Sequence, residues 1–171
     1  MTFGRGAGDE AEFARFVAAA APRLRRVAYA VSGSWEQADD SVQDALVKAY
    51  AHWRRVRAAD SPTAYVTTIV VRLALSESQR SVRRRAAEAG AGPGARQHDP
   101  TGGVDDRLDL ARLLGGLTRN QRAVLVLRFL EDRPVADVAR VLGVSEGTVT
   151  RQSHDAFRRL RHDLAIVHEE R

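Results

Sequence analysis

Residues Val135-Ala136-Asp137-Val138-Ala139-Arg140-Val141-Leu142-Gly143-Val144-Ser145-Glu146-Gly147-Thr148-Val149 decide how this 171-residue chain is read. Pro134 is placed to open a short helix, because its fixed φ and missing N–H suit a helix start. Ala139 is small where a second helix must cross closely, and Gly143 can take the positive φ of a tight turn. Ser145 stands where a side-chain oxygen caps the next helix, and Val138, Leu142, Val144 and Val149 supply the apolar contacts that fix the angle between the two. The spacing therefore predicts a helix-turn-helix whose second helix starts on an outward-projecting end, the geometry that enters a DNA major groove. A helical hairpin inside an ordinary bundle is the other reading of the same residues.

Downstream, the last helix extends to about Val167, with Val149, Ala156, Leu160 and Leu164 turned inward. Thr150, Arg151, His154, Asp155, Arg158 and Arg161 then face outward. The candidate duplex-reading set is Ser145, Glu146, Thr148, Thr150, Arg151, His154 and Arg158. Among these, Arg151 suits a guanine edge, and Arg158, with Arg161 beyond the set, suits a phosphate. Upstream, Thr118-Arg119-Asn120-Gln121 has the form of a capping box and opens a helix ending near Leu130. Asp105 to Leu117 is expected to be a further helix.

Seven of the fourteen residues from Gly90 to Gly103 are Gly or Pro, whereas Gly33 is the only glycine between Asp9 and Ala89. The composition predicts a flexible linker over 89–104 between modules at 9–88 and 105–171. Neither module shows alternating strand patterns, so the expected fold is all-α: two small helical modules, the second containing the helix-turn-helix. In the first, Phe13, Phe16, Val17, Ala20, Leu24, Val27, Ala28 and Val31 form a helical stripe, with Pro22 expected to kink it or start a second helix. Ser34-Trp35-Glu36-Gln37 reads as a capping box for a helix with core side Ala38, Val42, Ala45, Leu46, Ala49 and Trp53. On its opposite face Asp40, Gln43, Asp44 and Val47 recur at i, i+3, i+4 and i+7, an acidic strip. The helix from Ser61-Pro62 to about Arg85 carries Tyr65, Ile69, Val70 and Leu73 first. Farther on, Arg72, Ser76, Gln79, Arg80 and Arg83 line one stripe, as a surface tracking a nucleic-acid backbone requires.

Composition excludes several classes. The chain is 44% apolar and carries a net charge of +5, a balance that suits a polyanionic partner. Of its 27 basic residues only Lys48 is lysine. That skew is expected from GC-rich coding, although arginine also suits phosphate and guanine contacts. The absence of cysteine removes disulfides, thiolate metal sites and cysteine nucleophiles. The five histidines show no metal-ligand spacing. No Ser/His/Asp set or phosphate-cradling glycine loop is visible, so neither catalysis nor a cofactor is expected. No apolar run reaches the roughly 18 residues of a membrane span and no secretory leader is visible, so the expected location is cytoplasmic.

The run Leu117 to Leu160, especially Gln121-Arg122-Ala123-Val124-Leu125 and Ser145-Glu146-Gly147-Thr148-Val149, resembles the fourth region of bacterial sigma factors. Ala38-Asp39-Asp40-Ser41-Val42-Gln43-Asp44-Ala45-Leu46 resembles the second-region helix by which those proteins dock on RNA polymerase. Two such modules and a linker resemble the extracytoplasmic-function group of the sigma-70 family, over about 150 of the 171 residues. The resemblance implies a non-enzymatic initiation subunit whose partners are core RNA polymerase, promoter DNA and, in many members, an anti-sigma factor. It assigns Asp40, Gln43, Asp44 and Val47 to a basic coiled coil of the polymerase. It assigns the stripe from Arg72 to Arg83, with the loop Arg57 to Ser61, to the minus-ten element, and the recognition helix to the minus-thirty-five element. At minus ten such proteins capture an unstacked base, whose flipping costs a few kcal/mol that pocket contacts offset. This sequence departs from the pattern in five places. Arg72 stands where asparagine is common, and Arg57 to Ser61 contains no aromatic residue. Thr150 and Asp155 occupy usually basic positions, and Arg151 adds charge where serine is frequent. Within the family the linker passes near the polymerase active site; here its composition gives no more than a tether. The alternative function is a stand-alone helix-turn-helix transcriptional regulator.

Overall fold

The computed structural model describes residues 7–89 and 114–169, with side chains from 8–76 and 114–163. The expected linker from Gly90 onward, and all but the end of the helix expected over 105–117, lie outside the described residues. What is described is helical, in keeping with the expected all-α class. Helix α1 (Ala7–Ser32) packs antiparallel on α2 (Trp35–Ala51); a short α3 (Trp53–Arg57) follows, and α4 (Pro62–Ala89) crosses both. Then come α5 (Arg119–Leu125), a π-helical turn (Val126–Leu130), α6 (Val135–Leu142) and α7 (Glu146–Glu169).

Pro22 neither ends α1 nor divides it. Interior proline costs about 3 kcal/mol. That is outweighed by packing on both sides of it: Ala20 before, and Leu24, Val27, Ala28 and Val31 after, are buried. Each large apolar side chain so buried contributes roughly 1.5–3 kcal/mol. Gly33, at φ +75°, reverses the chain, and Ser34 caps α2 through the Gln37 N–H at 3.4 Å. The expected capping box is half-formed. The Ser34 N–H donates instead to Ser32 Oγ at 3.3 Å, and Gln37 Oε1 is buried without a partner. At α5 the box is complete, with Thr118 and Gln121 bonding reciprocally at 3.0 and 3.3 Å.

The core of α1, α2 and α4 continues without a break into the C-terminal helices. Ala123, Val124, Val126, Leu127, Val138, Ala139, Val141 and Val149 belong to the same buried cluster as Leu24, Val31, Val66, Val70 and Val71. The two helical groups are therefore docked on one another through an apolar seam. On α4 the buried side is Val66, Thr67, Val70, Val71 and Ala74, broader than the stripe expected from Tyr65, Ile69, Val70 and Leu73.

Candidate nucleic-acid interface

Helix α2 buries Ala38, Val42, Ala45 and Ala49 and thereby turns Asp40, Gln43, Asp44 and Val47 to solvent together. Val47 is 64% exposed, an uncovered apolar side chain at the C-terminal end of the polar strip. Next to the strip, Asp39 accepts from Arg25, whose Nη2 lies 2.9 Å away and whose guanidinium also sits over Trp35 at 5.2 Å. That hydrogen bond holds the Asp39 carboxyl below the usual carboxylate range. No described residue forms an ion pair with Asp40 or Asp44. The negative charge this face offers is therefore theirs, with Asp39 already neutralised.

The second candidate surface is on α4. Ser61 Oγ accepts the Ala64 N–H at 3.2 Å and Pro62 takes the first helical position, so the helix starts where the sequence places it. Arg57, at the head of the preceding loop, is held by Asp9 at 2.7 Å and Glu12 at 2.9 Å, contacts that raise its pKa. Arg72 is not directed to an open groove. Its Nε donates to the Val141 carbonyl at 2.9 Å and its Nη2 to the Arg140 carbonyl at 3.3 Å. Ser76 Oγ returns to the Leu73 carbonyl at 3.1 Å. Gln79, Arg80 and Arg83 lie on the helix, but their side chains fall outside the described residues.

The third surface is the start of α7. Gly143 adopts φ +67°, and the Val144 N–H bonds back to the Ala139 carbonyl at 3.1 Å, a left-handed turn closing α6. The turn corrects one expectation: Val144 contributes its amide, while its side chain stays 38% exposed and is not one of the angle-fixing contacts. Val138, Ala139 and Val149 are buried, and Leu142 partly so, as the motif requires. Ser145 accepts the Thr148 N–H at 3.2 Å, and the two hydroxyls lie 2.9 Å apart. Ser145, Glu146, Thr150, Arg151, His154 and Arg158 are exposed along one flank, with Thr148 half-buried behind the cap. Thr150 bonds the Glu146 carbonyl at 3.0 Å, and Arg158 pairs with Asp155 at 3.0 Å. The Asp155 carboxylate thus draws a cation toward itself on this exposed flank.

Residues 16–86 match the family Sigma-70 region 2, and residues 113–162 match Sigma-70, region 4. The RNA polymerase sigma-E factor of Streptomyces avermitilis is 31% identical over 157 residues, covering 92% of this chain and 87% of that protein. The chain belongs to the sigma-70 family. Its relatives place it in the extracytoplasmic-function group: the ECF RNA polymerase sigma factor SigM of Mycobacterium tuberculosis is 32% identical over 162 residues, 94% of this chain and 81% of that one. SigL of the same species is 30% identical over 145 residues, 82% of each. A solved sigma factor, RpoE of Bartonella quintana in complex with the anti-sigma factor NepR, matches the fold with a TM-score of 0.72 at 25% identity, over 91% of this chain and 98% of that one. This sigma factor binds core RNA polymerase and directs it to promoter DNA for initiation. Sigma factors are in general non-enzymatic regulators, and among the described residues no helix is long and apolar enough to cross a membrane.

Sequence reasoning missed the residues between α5 and α6. The π-helical turn carries a Glu131 N–H to Val126 carbonyl bond of 2.9 Å, and Asp132 takes φ +50°. Together they aim Glu131 and Arg133 into the N-terminal helices. Arg23 meets Glu131 at 3.0 Å, and Arg133 reaches Thr68 Oγ1 at 2.8 Å and the Ala64 carbonyl at 2.5 Å. Burial pulls the Arg133 pKa below its ordinary value against the opposing charges of Glu131 and Asp137. The available signal was the charged run Glu131-Asp132-Arg133 ahead of Pro134, which reads as a solvated loop. The same turn leaves Phe129 and Leu130 half-exposed, with Phe129 edge-on to Phe157 at 5.0 Å.

Proposed function

We propose that the roles divide along the chain as follows: residues 9–88 contact core RNA polymerase and the minus-ten element, residues 105–171 read the minus-thirty-five element, and 89–104 tether the two. The observation that carries this reading is the exposed strip Asp40, Gln43, Asp44 and Val47, two carboxylates without an ion-pair partner among the described residues, followed by one uncovered valine. A basic helical surface on the polymerase complements it: the carboxylates steer the encounter and Val47 supplies apolar contact. Arg72, Ser76, Gln79, Arg80 and Arg83 are the minus-ten residues of this reading. Ser145, Glu146, Thr148, Thr150, Arg151, His154 and Arg158 are its minus-thirty-five residues. Opening of the promoter is driven by binding, with no covalent chemistry and no cofactor, and the protein works in the cytoplasm. An anti-sigma factor is proposed as a further partner, by likeness to the sigma factor solved with NepR.

The test is co-elution of the purified chain with sigma-free core RNA polymerase, beside Asp44→Arg. Asp44 is exposed and unpaired, so the variant keeps its helix content while reversing one charge of the strip. Retention of wild type and loss of the variant is the expected result. Equal retention of both would remove the acidic strip from the polymerase contact.

A further inference from the structure

The first turns of α1 are tied to the end of α3. Asp9 Oδ1 and Glu12 Oε2 both accept from Arg57 Nη1, at 2.7 and 2.9 Å, across 48 and 45 residues of sequence. The two carboxylates stand at i and i+3 on α1 and bracket one guanidinium, and charge-assisted bonds of this kind are roughly twice as strong as neutral ones. The Asp9 side chain is only 18% exposed, so water has little access to replace Arg57 there. Helix α1 is docked independently of these charges: the Phe13 ring lies 4.9 Å from Tyr50 and 5.1 Å from Trp53. What the carboxylates fix in addition is Arg57.

Arg57 is the last residue of α3, and only Ala58, Ala59 and Asp60 separate it from Ser61, the cap of α4. The Ala59 N–H bonds to the Val56 carbonyl at 3.2 Å, so the segment turns at once and its course is set by what holds its two ends. Alanine at two of the three positions leaves no long side chain to reach for a base. What the segment offers is the exposed Asp60 carboxylate, which only accepts hydrogen bonds and so favours a base that presents an amino group.

We propose that Asp9 and Glu12 are positioning residues for sequence reading: through Arg57 they hold the segment 58–60 where Asp60 discriminates among bases of the minus-ten strand. The inference rests on the reading of this loop as part of the minus-ten surface, and adds to it two residues of α1 and a role for Arg57 as an anchor instead of a phosphate contact. A loop already held in its bound course is spared the cost of ordering, a difference of about two- to tenfold in affinity for each side chain that need not be immobilised. A loose loop follows any base and separates them less.

The test uses the full chain assembled with sigma-free core RNA polymerase and a pool of single-stranded oligodeoxynucleotides of randomised sequence. Retained strands are sequenced, and the ratio between the most and least favoured base is read at each position; the position read by the loop is the one whose ratio changes in Asp60→Ala. Asp9→Asn and Glu12→Gln keep shape and remove charge, and circular dichroism checks their helix content. The double variant is expected to co-elute with the core enzyme as the parent does, with the ratio at that position lower by about two- to tenfold. Each single variant, which leaves one acceptor, should fall between. Arg57→Gln should lower the ratio in the parent and change nothing further in the double variant, the non-additivity of residues acting as one unit. An unchanged ratio in the double variant overturns the proposal. So does a further loss on adding Arg57→Gln, which marks Arg57 as a strand contact in its own right. If no position responds to Asp60→Ala, the failure is that of the loop reading itself.

Discussion

Gly33 and Gly143 share a left-handed backbone, yet their surroundings differ in a way that predicts different costs for the same substitution. A Cβ on Gly143 meets no atom within 4 Å, so Gly143→Ala carries only the strain of φ +67°. That is about 1–2 kcal/mol. A Cβ on Gly33 lies 2.7 Å from Arg122 Nη1, and Arg122 is itself anchored by a 2.7 Å bond from Nε to the Leu114 carbonyl. Gly33→Ala must therefore strain the backbone and move an anchored guanidinium. Urea unfolding should show the larger loss at Gly33, and the excess should disappear in an Arg122→Ala background, the signature of coupled neighbours. Asp39 gives a separate test by titration. Its folded pKa is lowered by Arg25, so the stability it contributes is present above its unfolded pKa and is lost as pH falls through the folded value. A carboxyl NMR titration should place the Asp39 midpoint below the usual carboxylate range, and Arg25→Ala should return it there.

Helix starts separate in strength by how many orphan donors their caps satisfy. Thr118 and Gln121 form both bonds of a capping box, whereas Ser34 forms one, at 3.4 Å. Thr118→Ala should therefore lower thermal stability by about 1 kcal/mol, and Ser34→Ala by less. The contrast also shows what could be read in advance. Both stretches have the same Ser/Thr-x-x-Gln form, and nothing local to Ser34 announces that Ser32 will intercept its N–H. Periodicity was enough to place α1, α2, α4 and the helix-turn-helix, because each buries one continuous stripe. It was not enough at Val126–Leu130, where a run of apolar residues serves two neighbours and a π-helical turn changes the register between them. The acidic strip of α2 was legible because the buried face is marked by alanine and valine at helical spacing, with Ser41 among them, which leaves the opposite side to solvent. The role of Arg72 was not. An arginine on a polar stripe looks the same whether it faces a phosphate or a helix end 69 residues away in sequence, and only the docking of α6 distinguishes them.

Because Leu127 and Val124 lie in the same cluster as Leu24, Val31 and Val70, the two helical groups stabilise one another. Leu127 is fully buried, so Leu127→Ala should cost about 2–5 kcal/mol. If the seam couples the groups, that loss appears as a lower midpoint of one shared transition, followed by labels placed in either group. The net charge of +5 is concentrated in arginines, and binding of phosphates releases condensed counterions. Promoter association of the holoenzyme should therefore weaken steeply as salt rises, with each phosphate contact adding about 0.9 to the logarithmic slope. Arg158 is already paired with Asp155, whereas Arg151 lies exposed on the same flank. If Arg151 contacts a phosphate, Arg151→Ala should reduce the slope by about one. If it reads a guanine, the variant should leave more of the slope in place and relax sequence preference in the minus-thirty-five element. Measuring the slope for parent and variant on matched and mismatched promoters separates the two, and a flat salt response of the parent would contradict the basic surfaces altogether.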